Sequence, residues 1–161
     1  MAERTRTPNI NFENCRIIFR NFQGKQTPYN NEGNRNFCVV IDDLDFAHKL
    51  KDDGWNVRFR EPRDEYETES AFMQVKVSYR NIPPVIHLIS SEGNVILDEE
   101  SVGSLDWAEI ENVDMVVSPY HWEVNGKHGI AAYLKSMYVT IQTDPFEAKY
   151  KVKAEPDDIP F

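Results

Sequence analysis

The chain has little cysteine, little histidine and no long apolar run: its 161 residues include two Cys and four His. Two thiols, Cys15 and Cys38, cannot staple a fold, and they read as free cysteines of a reducing compartment. None of His87, His121, His128 and the two cysteines stands at C-x-x-C or H-x-x-x-H spacing, so the sequence carries no zinc signature and no cofactor is expected. No apolar segment approaches the roughly 20 residues that span a bilayer, so no membrane role is expected. Residues 1–10 bear charges and a Pro but no apolar stretch, and no secretory leader is expected. The motifs G-x-x-x-x-G-K-[ST], G-x-S-x-G and H-E-x-x-H are all missing, which leaves P-loop, α/β-hydrolase and zincin chemistry without a foothold.

Positive charge is also scarce. Eighteen Lys+Arg face 27 Asp+Glu, a formal net charge of -9. Taken whole, that balance argues against a polyanionic partner, but its distribution reverses the argument. Residues 1–63 hold 11 Lys/Arg and 9 Asp/Glu, a net of +2, whereas residues 64–161 hold 7 and 18, a net of -11. A ligand feels the local field rather than the average, so an acidic protein with a basic face remains open.

The length fits one domain, and 40 % hydrophobic with 28 % charged residues fits a globular one. Residues 1–14 read as a loosely held arm, and strands are expected over 15–22 and 35–41. Asp43 is placed to cap a short helix carrying Leu44, Ala47 and Leu50, with Gly54 at its left-handed end. Residues 55–60 and 72–79 alternate, the second with Met73, Val75, Val77 and Tyr79 inward and Gln74 and Lys76 outward. Further strands are expected over 85–90, 95–97, 113–117 and 120–124. A short helix over 101–110 carries Leu105, Trp107 and Ile110. Asn125-Gly126 signals a hairpin into a long strand, 129–141, whose bend is expected at Gly129 and Ala131-Ala132. Eight strands and two short helices predict a mainly β, OB-like antiparallel barrel over residues 1–142 and a disordered acidic tail over 143–161. A jelly roll or sandwich is the structural competitor.

Aromatic and basic residues alternate through the N-terminal third. Single-stranded nucleic acid offers base faces that stack on aromatic rings and phosphates that attract Arg and Lys. Arg20, Lys25, Arg35, Arg58 and Arg60 form the densest basic set. Phe22 and Tyr29, in or beside loops, are the aromatics expected nearest the bases, while Phe19, Phe37, Val57 and Phe59 are expected to fill the core. A second patch combines Tyr120 and Trp122 with Lys127 and Lys135 around the Asn125-Gly126 hairpin. Gln74-Val75-Lys76, with Asp64 or Glu65 upstream, approximates the acid-x-Lys of metal-dependent nucleases, but Gln stands where the acid belongs. No catalytic residue is assigned and the chain is expected not to be an enzyme. A β-domain serving protein interaction or virion structure is the alternative from another class.

The chain closes on Asp157-Asp158-Ile159-Pro160-Phe161. Acidic residues followed by an apolar pair and a carboxylate suit a basic-rimmed pocket on a protein partner. This pentapeptide resembles the acidic tip of bacterial single-stranded DNA-binding proteins, with Pro156 where those commonly carry a further Asp. More broadly, Arg20-Asn21-Phe22-x-Gly24, Gly33-Asn34-Arg35-Asn36-Phe37, Gly54-Trp55-Asn56-Val57-Arg58 and Leu105-Asp106-Trp107 resemble a group of tailed-phage proteins that bind single-stranded DNA. The block from Asn112 through Tyr120-x-Trp122 to Gly126-Lys127-x-Gly129-Ile130-x-Ala132-Tyr133-Leu134-Lys135 carries the same likeness, which spans residues 15–142. The resemblance implies an OB-type core, single-stranded DNA as ligand, and a role in phage replication, recombination or repair in the cytoplasm of the host. Partner proteins would dock on the tip, and self-association is compatible with it.

Overall fold

The computed structural model describes residues 7–28, 30–66, 68–80 and 82–142. Tyr29 and the whole expected tail, including Asp157, Asp158, Ile159, Pro160 and Phe161, lie outside the described residues. The chain order is β1 (Ile10–Asn21), β2 (Arg35–Ile41), α1 (Leu44–Asp52), β3 (Val57–Arg60), β4 (Ser70–Val77), β5 (Val85–Ser90) and β6 (Gly93–Leu97). A 3-10 turn, Val102–Asp106, then leads to β7 (Ile110–Val124) and β8 (Lys127–Ile141). The fold is mainly β, as expected.

Five of the strands close on themselves. β1 pairs with β2 and β7, β2 with β4, β7 with β8, and β8 meets β4 in parallel at Val75↔Ala132 and Lys76↔Tyr133. The barrel order β1-β2-β4-β8-β7 is OB-like. β3 occupies the remaining part of the β4 edge, and the β5–β6 hairpin extends the sheet from the far half of β8.

Alternation explains the interior. On β4, Ala71, Met73, Val75 and Val77 are buried while Gln74 and Lys76 are exposed, and Phe37, Val39 and Ile41 of β2 meet them inside. Asp43 caps α1 as expected, its carboxylate accepting from Phe46 N at 3.2 Å, and Ala47 and Leu50 are buried. Gly54, at φ 107°, ends the segment; its carbonyl accepts from Ile130 N at 2.9 Å while Asn56 N donates to Ile130 O at 3.2 Å. That exchange ties the α1–β3 link to β8. Asn125 and Gly126, at φ 51° and 79°, make the two-residue hairpin turn.

Several expectations are corrected. The first strand starts at Ile10 rather than Cys15, because Ile10 and Phe12 already point into the core. A left-handed Asn14 and a register shift between Phe12 and Cys15 then change the phase, hiding the strand from simple alternation. Residues 113–117 and 120–124 belong to one strand. Hydrogen-bonded pairs alternate outward from the hairpin turn, so Pro119, opposite Ala132, turns its nitrogen away from β8 and costs no rung. The irregularity of β8 lies opposite Val116 and Val117, not at Gly129. The helix expected over 101–110 is only the 3-10 turn: Leu105 is buried, but Trp107 is exposed and Ile110 opens β7.

The largest correction exchanges two aromatics. Phe19, expected inside, is 66 % exposed; Phe22, expected at the ligand, is fully buried and stacked on Phe37 at 5.1 Å. Phe19 takes φ 52° where the β1–β2 register shifts between Ile18 and Asn21, which turns its ring out and brings Phe22 in. Phe22→Ala is therefore expected to lower stability by about 3–5 kcal/mol, the usual cost of emptying a buried aromatic site. Thermal and urea melts test this, and an unchanged melting temperature would return Phe22 to the surface.

Candidate nucleic-acid interface

The loop between β1 and β2 is held by its own asparagines. Asn30 Nδ2 donates to the carbonyls of Lys25, Asn31 and Asn34, and Asn36 Nδ2 donates to Asn30 Oδ1 at 3.0 Å. At the loop's root, Phe22 N and Gln23 N donate to the Asp106 carboxylate at 2.6 and 3.0 Å. Gly24, at φ 70°, sits so close to Gly33 that an added Cβ would stand 3.0 Å from the Gly33 carbonyl carbon. Side chains that looked like generic polar loop residues thus build one rigid wall.

That wall borders an open cleft of about 1280 Å³. Asn30 and Gly33–Asn36 line one side, Gln74 and Lys76 of β4 form the floor, and Ser118–Tyr120 with Tyr133–Lys135 line the other side. Tyr79, Arg80 and Glu99 stand at one end. Four cations, Arg35, Lys76, Arg80 and Lys135, face one carboxylate among the lining residues, the reverse of the whole-chain balance. Tyr120, 56 % exposed, tilts against Tyr133 with ring centroids 5.4 Å apart, and Lys76 Nζ lies 6.0 Å from the Tyr133 centroid. Charge and ring faces are thus interleaved in the cleft, the two features that single-stranded nucleic acid engages.

The surface continues past the cleft. Phe72, Gln74 and Lys76 share the outer face of β4, and Arg58 on β3 stands in register with Phe72. The exposed Phe19 meets Phe72 edge-on at 6.0 Å. Arg60 lies two residues along from Arg58 on the same face, opposite Ser70. Cys38, also on this outer face, is buried, which raises its thiol pKa against the lowering effect of Arg58. Cys15, by contrast, is pushed up to about 12 by burial, and its thiol donates to Val113 O. Both thiols are thereby kept protonated and poorly nucleophilic.

The expected site residues divide. Arg35, Tyr120 and Lys135 line the cleft, and Arg58 and Arg60 lie on the continuing face. Trp122 and Lys127 are exposed on the outer arm of the β7–β8 hairpin, Trp122 on the same side as Tyr120. Three expected residues are elsewhere. Phe22 is in the core. Arg20 Nη1 donates to the carbonyls of Leu105 and Ala108, both at 2.8 Å, so its charge ties β1 to the 3-10 turn. Lys25 lies over the Trp107 ring at 4.7 Å, away from the cleft. Lys76 and Arg80, with the exposed Phe19 and the half-buried Phe72, are site residues that sequence reasoning missed, and Tyr79, expected inward, is half-buried at the edge of the cleft. Outward alternation on β4 is a usable signal for Lys76, masked by the likeness of its tripeptide to a nuclease motif.

An OB-like barrel whose cleft joins cations to tyrosine rings, between the first interstrand loop and the last hairpin, is the kind of surface on which OB-type modules bind single strands. Residues 1–160 match the family model described as "Putative phage ssDNA-binding domain", and the chain belongs to that family. Its fold is similar to that of the single-stranded DNA-binding protein from bacteriophage Enc34. The structure in complex with ssDNA gives TM-score 0.54 at 14 % identity, over 86 % of this chain and 89 % of that one. A second structure of the Enc34 protein gives 0.53 at 14 % identity, over 93 % and 88 %, and its C-terminal truncation gives 0.52 at 14 %, over 86 % and 88 %. At that identity the likeness establishes the fold. No curated protein matches the chain by sequence.

The hairpin arm supplies a test of local geometry. Trp122 lies opposite Gly129, and a Cβ built there would stand 2.7 Å from the indole Cζ2. Gly129→Ala is expected to lift the ring off the strand, changing the near-UV circular dichroism and raising acrylamide quenching while the far-UV spectrum is retained. An unchanged near-UV spectrum would show that the ring does not rest on Gly129.

Proposed function

We propose that this protein binds single-stranded DNA without sequence preference along the cleft and the outer face of β2, β4 and β3. The observation that carries the reading is the local inversion of charge: four cations and one carboxylate line a cleft that also holds the exposed Tyr120 and the half-buried Tyr133, on a chain whose net charge is -9. Phosphates displace counterions at Arg35, Lys76, Arg80, Lys135 and Arg58, while bases stack on Tyr120, Tyr133, Phe72 and Phe19, with Trp122 further along the hairpin arm. The Enc34 protein, of the same fold, has been seen in complex with ssDNA, which supports this choice of ligand. The reading involves no chemical step, and the work it implies is protection and delivery of single strands during phage replication, recombination or repair in the host cytoplasm. Tyr29 is assigned to the same surface on its sequence alone.

Titration of oligo-dT at two salt concentrations tests the reading. Lys76→Ala and Arg58→Ala are each expected to reduce the log-log salt slope by about 0.7, the loss of one phosphate contact on a single strand. Tyr120→Ala is expected to cost about 1–3 kcal/mol of binding, the usual worth of one stacked base. Arg20→Ala, whose guanidinium is engaged with two carbonyls, is expected to lower the melting temperature and leave the slope alone. If the Lys76 and Arg58 variants retain the wild-type slope, the DNA path lies on another face.

The tail completes the proposal. Asp157 and Asp158 supply a tethered anionic pair that competes with phosphates for the cleft at an effective concentration set by its tether. Ile159-Pro160-Phe161 is the apolar anchor for replication or repair proteins. Removing residues 155–161 is expected to tighten DNA binding, most at low salt. Phe161→Ala is expected to abolish partner binding while leaving DNA affinity nearly intact. Equal affinity of full-length and truncated chains at low salt would refute competition.

A further inference from the structure

Inside the cleft, two polar atoms have no partner among the described residues. Arg35 Nε and the Tyr79 hydroxyl are both buried and unbonded, and both residues line the cleft. Leaving such groups unpaired is costly, and each calls for an explanation, an acceptor brought from outside being one. The rest of the Arg35 guanidinium is engaged by an acid: Nη1 stands 3.3 Å from Glu99 Oε1, with the Arg35 side chain 19 % exposed and that of Glu99 57 %. The guanidinium carbon lies 5.5 Å from the Tyr79 ring centroid. Glu99 is also the sole carboxylate among the described residues lining this cleft.

The backbone under Glu99 is held firmly. The neighbouring Asp98 carboxylate accepts from Ser101 Oγ at 2.8 Å, Ser101 N at 2.9 Å and Glu100 N at 3.0 Å. Those bonds, with the Ser101 side chain foremost, hold the Asp98 acid below the usual carboxylate range. The Glu99 side chain, 57 % exposed, reaches from this turn to Arg35. Burial, reinforced by Glu99 and Asp98 and opposed by Arg35, raises the Tyr79 phenol pKa. At neutral pH the phenol keeps its proton, so its hydroxyl is a donor without an acceptor among the described residues.

We propose that Arg35 and Tyr79 form a phosphate subsite of the cleft and that Glu99 is its built-in occupant, displaced when the backbone of a single strand enters. This rests on reading the cleft as the DNA path. A phosphodiester has non-bridging oxygens enough to accept from Arg35 Nε–H and the Tyr79 hydroxyl at once. Glu99, attached through a fixed turn, reaches Nη1 but leaves the other two donors unmet. The carboxylate therefore holds the guanidinium in place in the free protein, and a phosphate satisfies a larger set of donors.

The test is a double-mutant cycle read by fluorescence anisotropy with oligo-dT at low salt on the full chain. Glu99→Gln is expected to tighten binding about three- to fivefold, the scale of one partly exposed ion pair. In an Arg35→Gln background the same substitution is expected to change affinity less than about twofold. Tyr79→Phe keeps the ring and removes only the unpaired hydroxyl. It is expected to weaken binding about two- to fivefold while the melting temperature of the free protein stays level or rises. Equal tightening by Glu99→Gln in both backgrounds would make Glu99 a general repulsive charge and overturn the proposal. So would wild-type affinity in Tyr79→Phe. If the wild-type chain itself fails to bind oligo-dT, the DNA reading of the cleft falls with it, a result distinct from either of these.

Discussion

The short parallel contact between β4 and β8, at Val75↔Ala132 and Lys76↔Tyr133, is the constraint on which the rest of the structure depends. It converts an open sheet into a barrel and splits each strand between two neighbours. β4 gives its first half to β3 and its second to β8, while β8 gives its far half to β5. Because side chains alternate, the inward members of these pairs, Val75 and Ala132, enter the core. The outward members, Lys76 and Tyr133, are placed side by side in the cleft. One register therefore closes the core and juxtaposes a cation with a ring face.

Charge is handled in the same way, by geometry rather than by composition. The cleft is lined by Arg35 from the start of β2, Lys76 from β4, Arg80 beyond it and Lys135 from β8, while the acids of the chain lie mostly elsewhere. Within a Debye length of about 10 Å the local cations dominate what a polyanion feels, whatever the net charge. Arginines outside the cleft are not idle. Arg20 satisfies two carbonyls after the 3-10 turn, a role in which its five donors matter more than its charge.

Backbone irregularities decide which rings serve the core and which face solvent. Two left-handed residues in β1, Asn14 and Phe19, each coincide with a shift of register, and each reverses the inward-outward phase of the residues after it. The second sends Phe19 out to Phe72 and brings Phe22 in against Phe37. Trp122 depends on an opposite device: a missing side chain at Gly129 leaves the space its ring fills. Phe19 and Phe22 are the same side chain; the strand path assigns their roles.

Local signals in the chain determined a good deal. Alternation in residues 72–77, the Asp43 cap, Gly54 and the Asn125-Gly126 turn each reflect interactions between near neighbours, and the elements they announce are present. The mainly β class, the helical turn late in the order and the concentration of Arg beside aromatics in the first third could be read the same way. What the sequence could not disclose were relations between distant residues. That Lys76 stands beside Tyr133, that Asp106 receives the amides of Phe22 and Gln23, and that Glu99 meets Arg35 all depend on barrel closure. A one-residue bulge was equally hidden, because its cost and its benefit are settled by packing against strands a hundred positions away. Local chemistry fixes which residues are suited to stack or to bind phosphate. Only the closed barrel, through register and strand phase, decides which of them share a surface.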